Sequence, residues 1–381
     1  MTDVASLGIT ISNPNNSPAL QAGLDAGVRY FEFNEIGTYT FLDTVTIPQG
    51  VRILLKGIGY GMIWLKLVAA TGRSLFNYFR PAGAPMAMVT FKNFVFHWGG
   101  ALAQAGSNAV SFIGANEANS DSLLNIKDCM FYNFDADVKV AFASLNKFTR
   151  NWHAFGNFAY ILGRGASFTD FTQVMSFNKT AIYARDDIDD AFSNGLTLDR
   201  CNFITAQGMN VFVQGWQAVF ADMCGFDLGS AGLAALHFRR CQDVHLSKSF
   251  ISGNGRAVRD GVLFDETHSF SLAGGAVVNS YVGVRVIAPV NGMIPNGTIR
   301  DVKFDGNLKN DVLLMDNCKG VNVLDNYHRK QMARTGTDFE IYANLPGVNK
   351  CQIRGNNLAG VSYDIVAGPN SIVRDNLFGV A

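Results

Sequence analysis

Apolar and polar residues alternate along this chain in short runs that repeatedly lose step. In "LTLDRCNF", residues 196 to 203, Leu196, Leu198, Cys201 and Phe203 face one way, with an extra residue breaking the rhythm between the pairs. Strict alternation marks a half-buried strand, so the octet reads as two strands joined at a corner. The pattern recurs as "VTFKNFVF" at 89 to 96, "LNIKDCMF" at 124 to 131 and "VFADMCGF" at 219 to 226. Looser copies begin at 244, 270, 297, 321, 351 and 371. The second apolar position falls at 198, 221, 246, 272, 299, 323, 353 and 373, at steps of 20 to 30 residues. Residues 140 to 175 fit the repeat poorly.

A third short strand follows each doublet, as in "VFV" at 211, "LHF" at 236, "VLF" at 262, "VRV" at 284 and "VLL" at 312. Three strands per repeat of about 25 residues predict an all-β, right-handed parallel β-helix, a solenoid whose coils bury their inward faces only by stacking. The corners explain Asn93, Asp128, Asp301, Asp325 and Asp375, because Asn and Asp tolerate left-handed backbone and bond nearby amides. These residues are read as structural. Cys129, Cys201 and Cys224 share the first inward position after the corner, and Cys241 and Cys318 share another, so the cysteines are read as small hydrophobes stacked for shape. With no CxxC spacing among the six cysteines, free thiols are expected.

Composition narrows the function. Charged residues are 16% of the 381, hydrophobic residues 48%, and Pro numbers only 9 against 39 Gly, which favours a heavily buried chain over disorder. With 31 basic and 31 acidic side chains, the basic surplus of a nucleic-acid binder is missing. No apolar run is long enough to span a bilayer, and "MTDVASLGIT" lacks the features of a secretion signal. No P-loop, GxSxG, HExxH or zinc spacing is present.

Residues 15 to 61 carry a separate signal: a short amphipathic helix with Leu20 and Leu24 on one face, a strand, then "GTY" and "VTIPQGVRILLKGIGYG". Gly37, Thr38, Tyr39, Ile47, Pro48, Gly50, Val51, Gly57 and Gly59 in this order resemble the start of pectate-lyase-like β-helix proteins, especially phage tailspike depolymerases. The resemblance implies an N-terminal capping helix with first coils over 1 to 70 and one continuous β-helix body over 71 to 381. It implies a bacterial surface polysaccharide, capsule or O-antigen, as substrate, and a homotrimer in a virion beside other phage tail proteins. A secreted bacterial enzyme is the alternative location. Two departures are expected to matter: a separate head domain and a trimer-forming terminal domain are both missing from the chain. No catalytic motif of the family transfers by residue.

Glycoside hydrolysis uses two carboxylates, one protonated and one ionised. A lyase instead uses a base at the C5 proton of a uronic sugar, with positive charge beside the developing enolate. Alternation turns Val213, Phe238 and Phe264 inward and stacks Gln214, Arg239 and Asp265 on the outer face, about 4.8 Å apart. Tyr183 extends that column, His237 projects from the same face, and Glu266 and His268 follow at the strand end. This patch reads either as a surface ion pair between Arg239 and Asp265 or as a carbohydrate cleft with Asp265 and Glu266 as acid and base.

The acidic run "ARDDIDDAFSNG" adds Asp186 and Asp189 as catalytic partners. Its carboxylates also offer oxygen ligands for Ca²⁺, although their spacing favours a solvated loop; no other metal or cofactor is expected. Of the four tryptophans, Trp216 is assigned to sugar stacking, while Trp64, Trp98 and Trp152 fall in less regular stretches. His97, His153, His245 and His328 occur singly and read as core or surface residues. Hydrolysis leads, with lyase chemistry through His237 or Tyr183 beside Arg239 as the enzymatic alternative. A non-catalytic receptor-binding or structural β-helix is a further alternative.

Overall fold

The structure, a computed structural model, describes residues 2–68, 72–100, 104–115, 123–186, 193–205, 208–228, 234–254, 259–288, 295–315, 317–329, 340–345, 347–358 and 365–378. The chain forms two compact units, Met1–Ala184 and Arg185–Ala381. Each is a parallel β-solenoid with three sheets, to which each successive coil contributes one strand. In the second unit, one coil runs from Trp216–Asp222 in the first sheet through Gly225–Leu228 in the second to Ala234–Arg239 in the third. The next coil lies in register on it, Val219 pairing with Val244 and Phe226 with Ile251.

The inward positions of the octets form the core. Leu196, Leu198, Val219, Ala221, Val244, Leu246, Phe270 and Leu272 are all buried along the first sheet of the second unit. Burying such a side chain is worth about 1.5–3 kcal/mol, a gain available only when a neighbouring coil covers it.

Corner geometry follows the sequence pattern closely. Asn93, Asp128, Asp301, Asp325 and Asp375 adopt φ of 64°, 57°, 55°, 55° and 57°. Equivalent corners carry Arg150, Arg200, Met223 and Lys248, also at positive φ, so the left-handed turn belongs to the position and Asx residues merely suit it best. The next residue points inward and accepts the backbone N–H of the preceding coil. The Cys129 amide donates to Asn151 Oδ1 at 3.1 Å and the Cys224 amide to Ser249 Oγ at 3.3 Å. An asparagine ladder continues this in the second unit: Val302 donates to Asn326 Oδ1 (3.0 Å), Asn326 to Asn356 Oδ1 (3.1 Å) and Asn356 to Asn376 Oδ1 (2.9 Å).

The six cysteines are free and buried. Burial pushes the Cys129 and Cys241 thiols up to about 12. Cys224 shifts the other way, because its sulfur is hydrogen-bonded by the Cys201 thiol and, more weakly, by the Cys201 amide at 3.4 Å. Their place is structural, but they share a rung with Asn and Ser and so act as weak hydrogen-bonding groups as well as small hydrophobes.

In the first unit, the helix Ser17–Asp25 buries Leu20 and Leu24 and packs against the strand Val45–Thr46. Gly57 is required by close approach, since a Cβ there would lie 2.6 Å from the Asn93 carbonyl oxygen. Residues 140 to 175 form coils like the others, with strands Lys147–Thr149, Trp152–Ala154, Phe158–Leu162 and Thr169–Thr172. Their irregular pattern has a physical cause: the interior here is polar. His153 Nδ1 lies 2.9 Å from Asp137 Oδ2 and its Nε2 2.8 Å from the Tyr160 hydroxyl, while Asn178 donates to the same Asp137 oxygen at 2.7 Å. His153, Asp137 and Asn178 are completely buried, and desolvation holds the Asp137 carboxyl above its ordinary range. The second unit repeats the arrangement with His328 Nδ1 and Asp311 Oδ2 at 2.8 Å, Asn307 donating to Asp311 Oδ1 at 2.8 Å.

Candidate functional site

The third sheet of the second unit presents two in-register columns on its outer face. One runs Gln214, Arg239, Asp265, Ile287. The other runs Phe212, His237, Leu263, Arg285, Leu313, Tyr342. The columns exist because Val213, Phe238 and Phe264 take the alternate positions and are buried in the core.

Asp265 is the junction of this face. Its Oδ2 lies 3.3 Å from His237 Nε2 and 3.6 Å from Arg239 Nε. The His237 ring packs edge-on against Phe212, centroids 5.1 Å apart, and only a small part of its surface reaches solvent. The buried imidazole therefore orients a carboxylate that still reaches solvent and neighbours an exposed guanidinium, which suits proton handling next to an anionic group.

Further along, Arg285 holds Asp260 through Nε to Oδ2 at 2.8 Å and Nη2 to Oδ1 at 3.1 Å. Burial raises the Asp260 carboxyl to about 6, with the Arg285 charge pulling against it. Arg285 also lines a cleft of about 530 Å³ with Tyr281, Lys309, Asn310, Leu313 and Tyr342. The Lys309 ammonium sits over the Tyr281 ring at 5.7 Å. Two cations and two tyrosines in one cleft fit a ligand carrying both negative charge and a flat apolar face.

The other nominated residues have partners of their own. Glu266 occupies the corner at φ 54° and its carboxylate is taken by Arg240 at 2.8 Å. Asp186 is buried and accepts the Ser193 hydroxyl at 3.0 Å. Asp187, Asp189 and Asp190 lie outside the described residues, and among the described residues no cluster of three His, Cys, Asp or Glu forms a metal cage. Tyr183, in the first unit, packs edge-on to Phe158 at 5.7 Å. The assignment of Trp216 to sugar stacking is corrected: it starts the strand Trp216–Asp222 facing the core and is fully buried.

The outward tryptophans are the ones passed over. In the first unit, Trp64 stacks on Tyr132 (5.9 Å, 12°), Tyr132 meets Trp152 at 5.0 Å, and Trp152 meets Phe177 at 5.6 Å. Phe155 beside Tyr132 is 65% exposed and Trp64 36%. This aromatic platform covers the outer face of the second sheet. Its signal was present in register, since Trp64, Val95, Met130 and Trp152 occupy one column. Reading the tryptophans one at a time hides it.

No protein-family model matches the chain, and no curated protein sequence does either. Solved structures do. The A-module of the mannuronan C-5 epimerase AlgE6 from Azotobacter vinelandii superposes over 100% of both chains with a TM-score of 0.60 at 13% identity. The N-terminal fragment of bacteriophage Phi29 gene product 12 matches 98% of this chain and 72% of its own, with TM-score 0.64 at 10% identity. Bacteriophage CBA120 tailspike protein 3 matches 99% of this chain and 61% of its own, with TM-score 0.60 at 13% identity. At such identities the likeness establishes the shared parallel β-helix fold and nothing finer.

Proposed function

We propose that the chain is a polysaccharide-active β-helix protein of the phage tailspike type, which binds and internally cleaves an extended bacterial surface glycan. The single observation that carries this reading is the outer face of the third sheet in the second unit. There the Asp265, His237 and Arg239 cluster and the cleft of Arg285, Lys309, Tyr281 and Tyr342 share adjoining columns. A repeating groove on stacked coils suits a repeating polymer, and the neighbours named for a tailspike and a mannuronan epimerase agree with that use of the fold. A homotrimer on a virion, contacting other tail proteins, belongs to the same reading.

Within this face the residues favour proton transfer over two-carboxylate hydrolysis. Hydrolysis needs a second carboxyl within about 10 Å of the first. Glu266 is committed to Arg240, Asp186 to Ser193 and Asp260 to Arg285, whereas Asp265, His237 and Arg239 form a ready set of base, orienting group and cation. In this mechanism His237 holds and orients the Asp265 carboxylate, which takes the C5 proton of a uronic sugar, and Arg239 faces the sugar carboxylate as negative charge develops.

The test is digestion of a panel of capsular polysaccharides and lipopolysaccharides, following reducing ends and the ultraviolet absorbance of unsaturated uronic products together. Joint appearance of both, lost by more than a hundredfold in Asp265→Asn and reduced in His237→Gln with glycan binding retained, is expected. Reducing ends without absorbance would replace the elimination by hydrolysis. Binding without turnover on every bound glycan would leave a receptor-binding protein.

A further inference from the structure

The first sheet of the first unit carries a basic outer face that the proposed cleavage site does not use. Alternation places Glu32, Lys56, Lys92, Lys127 and Thr149 in one in-register column. The adjoining column is Tyr30, Leu54, Thr90, Asn125, Lys147 and Asp170. A cleft of about 540 Å³ opens beside them, its polar lining led by Arg29, Arg52, Lys147, Tyr30 and Asn125.

Five cations therefore share one sheet face, with Arg29 lining its cleft, in a chain whose 31 basic and 31 acidic side chains cancel overall. Only Lys56 has a carboxylate within ion-pair distance there, Glu32 at 3.2 Å. Among the described residues no such partner lies within 4 Å of Lys92, Lys127, Lys147 or Arg52, and the carboxylate next in sequence to Lys127, that of Asp128, is occupied by Arg150 at 2.6 and 2.9 Å. Asp170, one rung beyond Lys147, lies at the far end of its column. Like charges directly opposite on paired strands repel, so three lysines on successive rungs about 4.8 Å apart destabilise the unliganded protein. A ligand that brings regularly spaced negative charge removes that repulsion.

We infer that this face binds an anionic polysaccharide, one carrying a carboxylate or phosphate on its repeating unit, at a site separate from the cleavage groove. Single-stranded nucleic acid is the rival polyanion, and it is held through aromatic rings interleaved with the cations. Here the positions between cations are Leu54, Thr90, Asn125 and Met88, with Tyr30 the one ring. Amides and hydroxyls beside lysines match sugar hydroxyls beside acid groups.

The experiment is titration of the whole protein with an oligogalacturonate, a poly(glycerol phosphate), neutral dextran and oligo-dT at rising salt. The protein is compared with the triple variant Lys92→Gln, Lys127→Gln, Lys147→Gln. The wild type should bind one or both acidic glycans with affinity falling steeply with salt, and which of the two binds separates carboxylate from phosphate recognition. The triple variant should lose at least tenfold in affinity at low salt, and the slope of log K against log salt should shrink by about 2, three charges at ~0.7 each. It should melt no lower than wild type, since repulsion has been removed. A triple Lys→Arg variant at these positions should keep the wild-type slope.

Equal affinity and slope in wild type and the Gln triple would overturn the site, as would dextran binding as tightly as the acidic glycans. Oligo-dT binding more tightly than either glycan, and lost in the triple variant, would make it a nucleic-acid site instead. His237→Gln should leave this binding intact, so loss of cleavage and loss of this site are read independently.

Discussion

Asp260 offers the most quantitative check on the groove. Its carboxyl is forced to about 6 by desolvation, against an ordinary 3.8, despite the ion pair with Arg285. A rise of roughly 2 units corresponds to about 3 kcal/mol, at ~1.4 kcal/mol per unit. The folded state holds the proton more tightly than the unfolded chain, so the contribution of this group to stability is greatest below pH 4 and is lost as pH rises through 6. Asp260→Asn removes this titration while keeping the shape. The difference in urea unfolding free energy, wild type minus variant, should therefore fall by about 3 kcal/mol between pH 4 and pH 7, other titrating groups cancelling in the subtraction. The same proton should act on the cleft: below pH 6 the neutral Asp260 no longer offsets Arg285, so an acidic sugar should bind more tightly in wild type and not in Asp260→Asn. Parallel stability curves for the two proteins across this range would refute the desolvation argument.

The buried thiols should be silent toward a thiol reagent in the folded protein at pH 8, with Cys224 the first of the six to react and Cys129 and Cys241 reacting only after denaturant, read by peptide mass. Asn356→Ala leaves the Asn326 amide and the Val323 carbonyl without their side-chain partner, a cost of about 2–4 kcal/mol measurable as faster hydrogen exchange at Asn326. Asp301→Val at φ 55° should destabilise by about 1–3 kcal/mol in urea, whereas Asp301→Asn should stay within a few tenths. Acrylamide should quench the fluorescence of a variant retaining only Trp64, and barely quench one retaining only Trp216.

What was legible in the sequence was whatever repeats with period two. The octets located the first and second sheets, and the outward stacking of Gln214, Arg239 and Asp265 followed from the inward burial of Val213, Phe238 and Phe264. Periodicity became unreadable where a coil buries polar groups. Asn151 and His153 occupy interior positions in the 140 to 175 stretch and both bond the Tyr160 hydroxyl, with His153 also reaching Asp137 in the coil before, so an apolar template rejects coils that are geometrically ordinary. His328 reads singly in the sequence for the same reason, because its partnership with Asp311 joins different sheets across 17 residues.

The site was harder to read than the fold because its chemistry depends on which neighbour a charge chooses. Arg240 and Arg239 are adjacent in sequence, yet a corner sends Arg240 to Glu266 and leaves Arg239 beside Asp265. That single turn separates two consecutive acids that look like a catalytic pair on paper. It commits one to a corner ion pair and leaves the other facing an imidazole. The same logic governs Trp216 and Trp152: one residue of phase decides between core and surface, and in a solenoid that phase resets at every left-handed corner. Function in this protein is therefore written in columns across coils, where residues about 25 apart in sequence become neighbours about 4.8 Å apart. The lysine column at 56, 92 and 127 and the column that joins Trp64 to Trp152 through Val95 and Met130 become visible only when the chain is read in that direction.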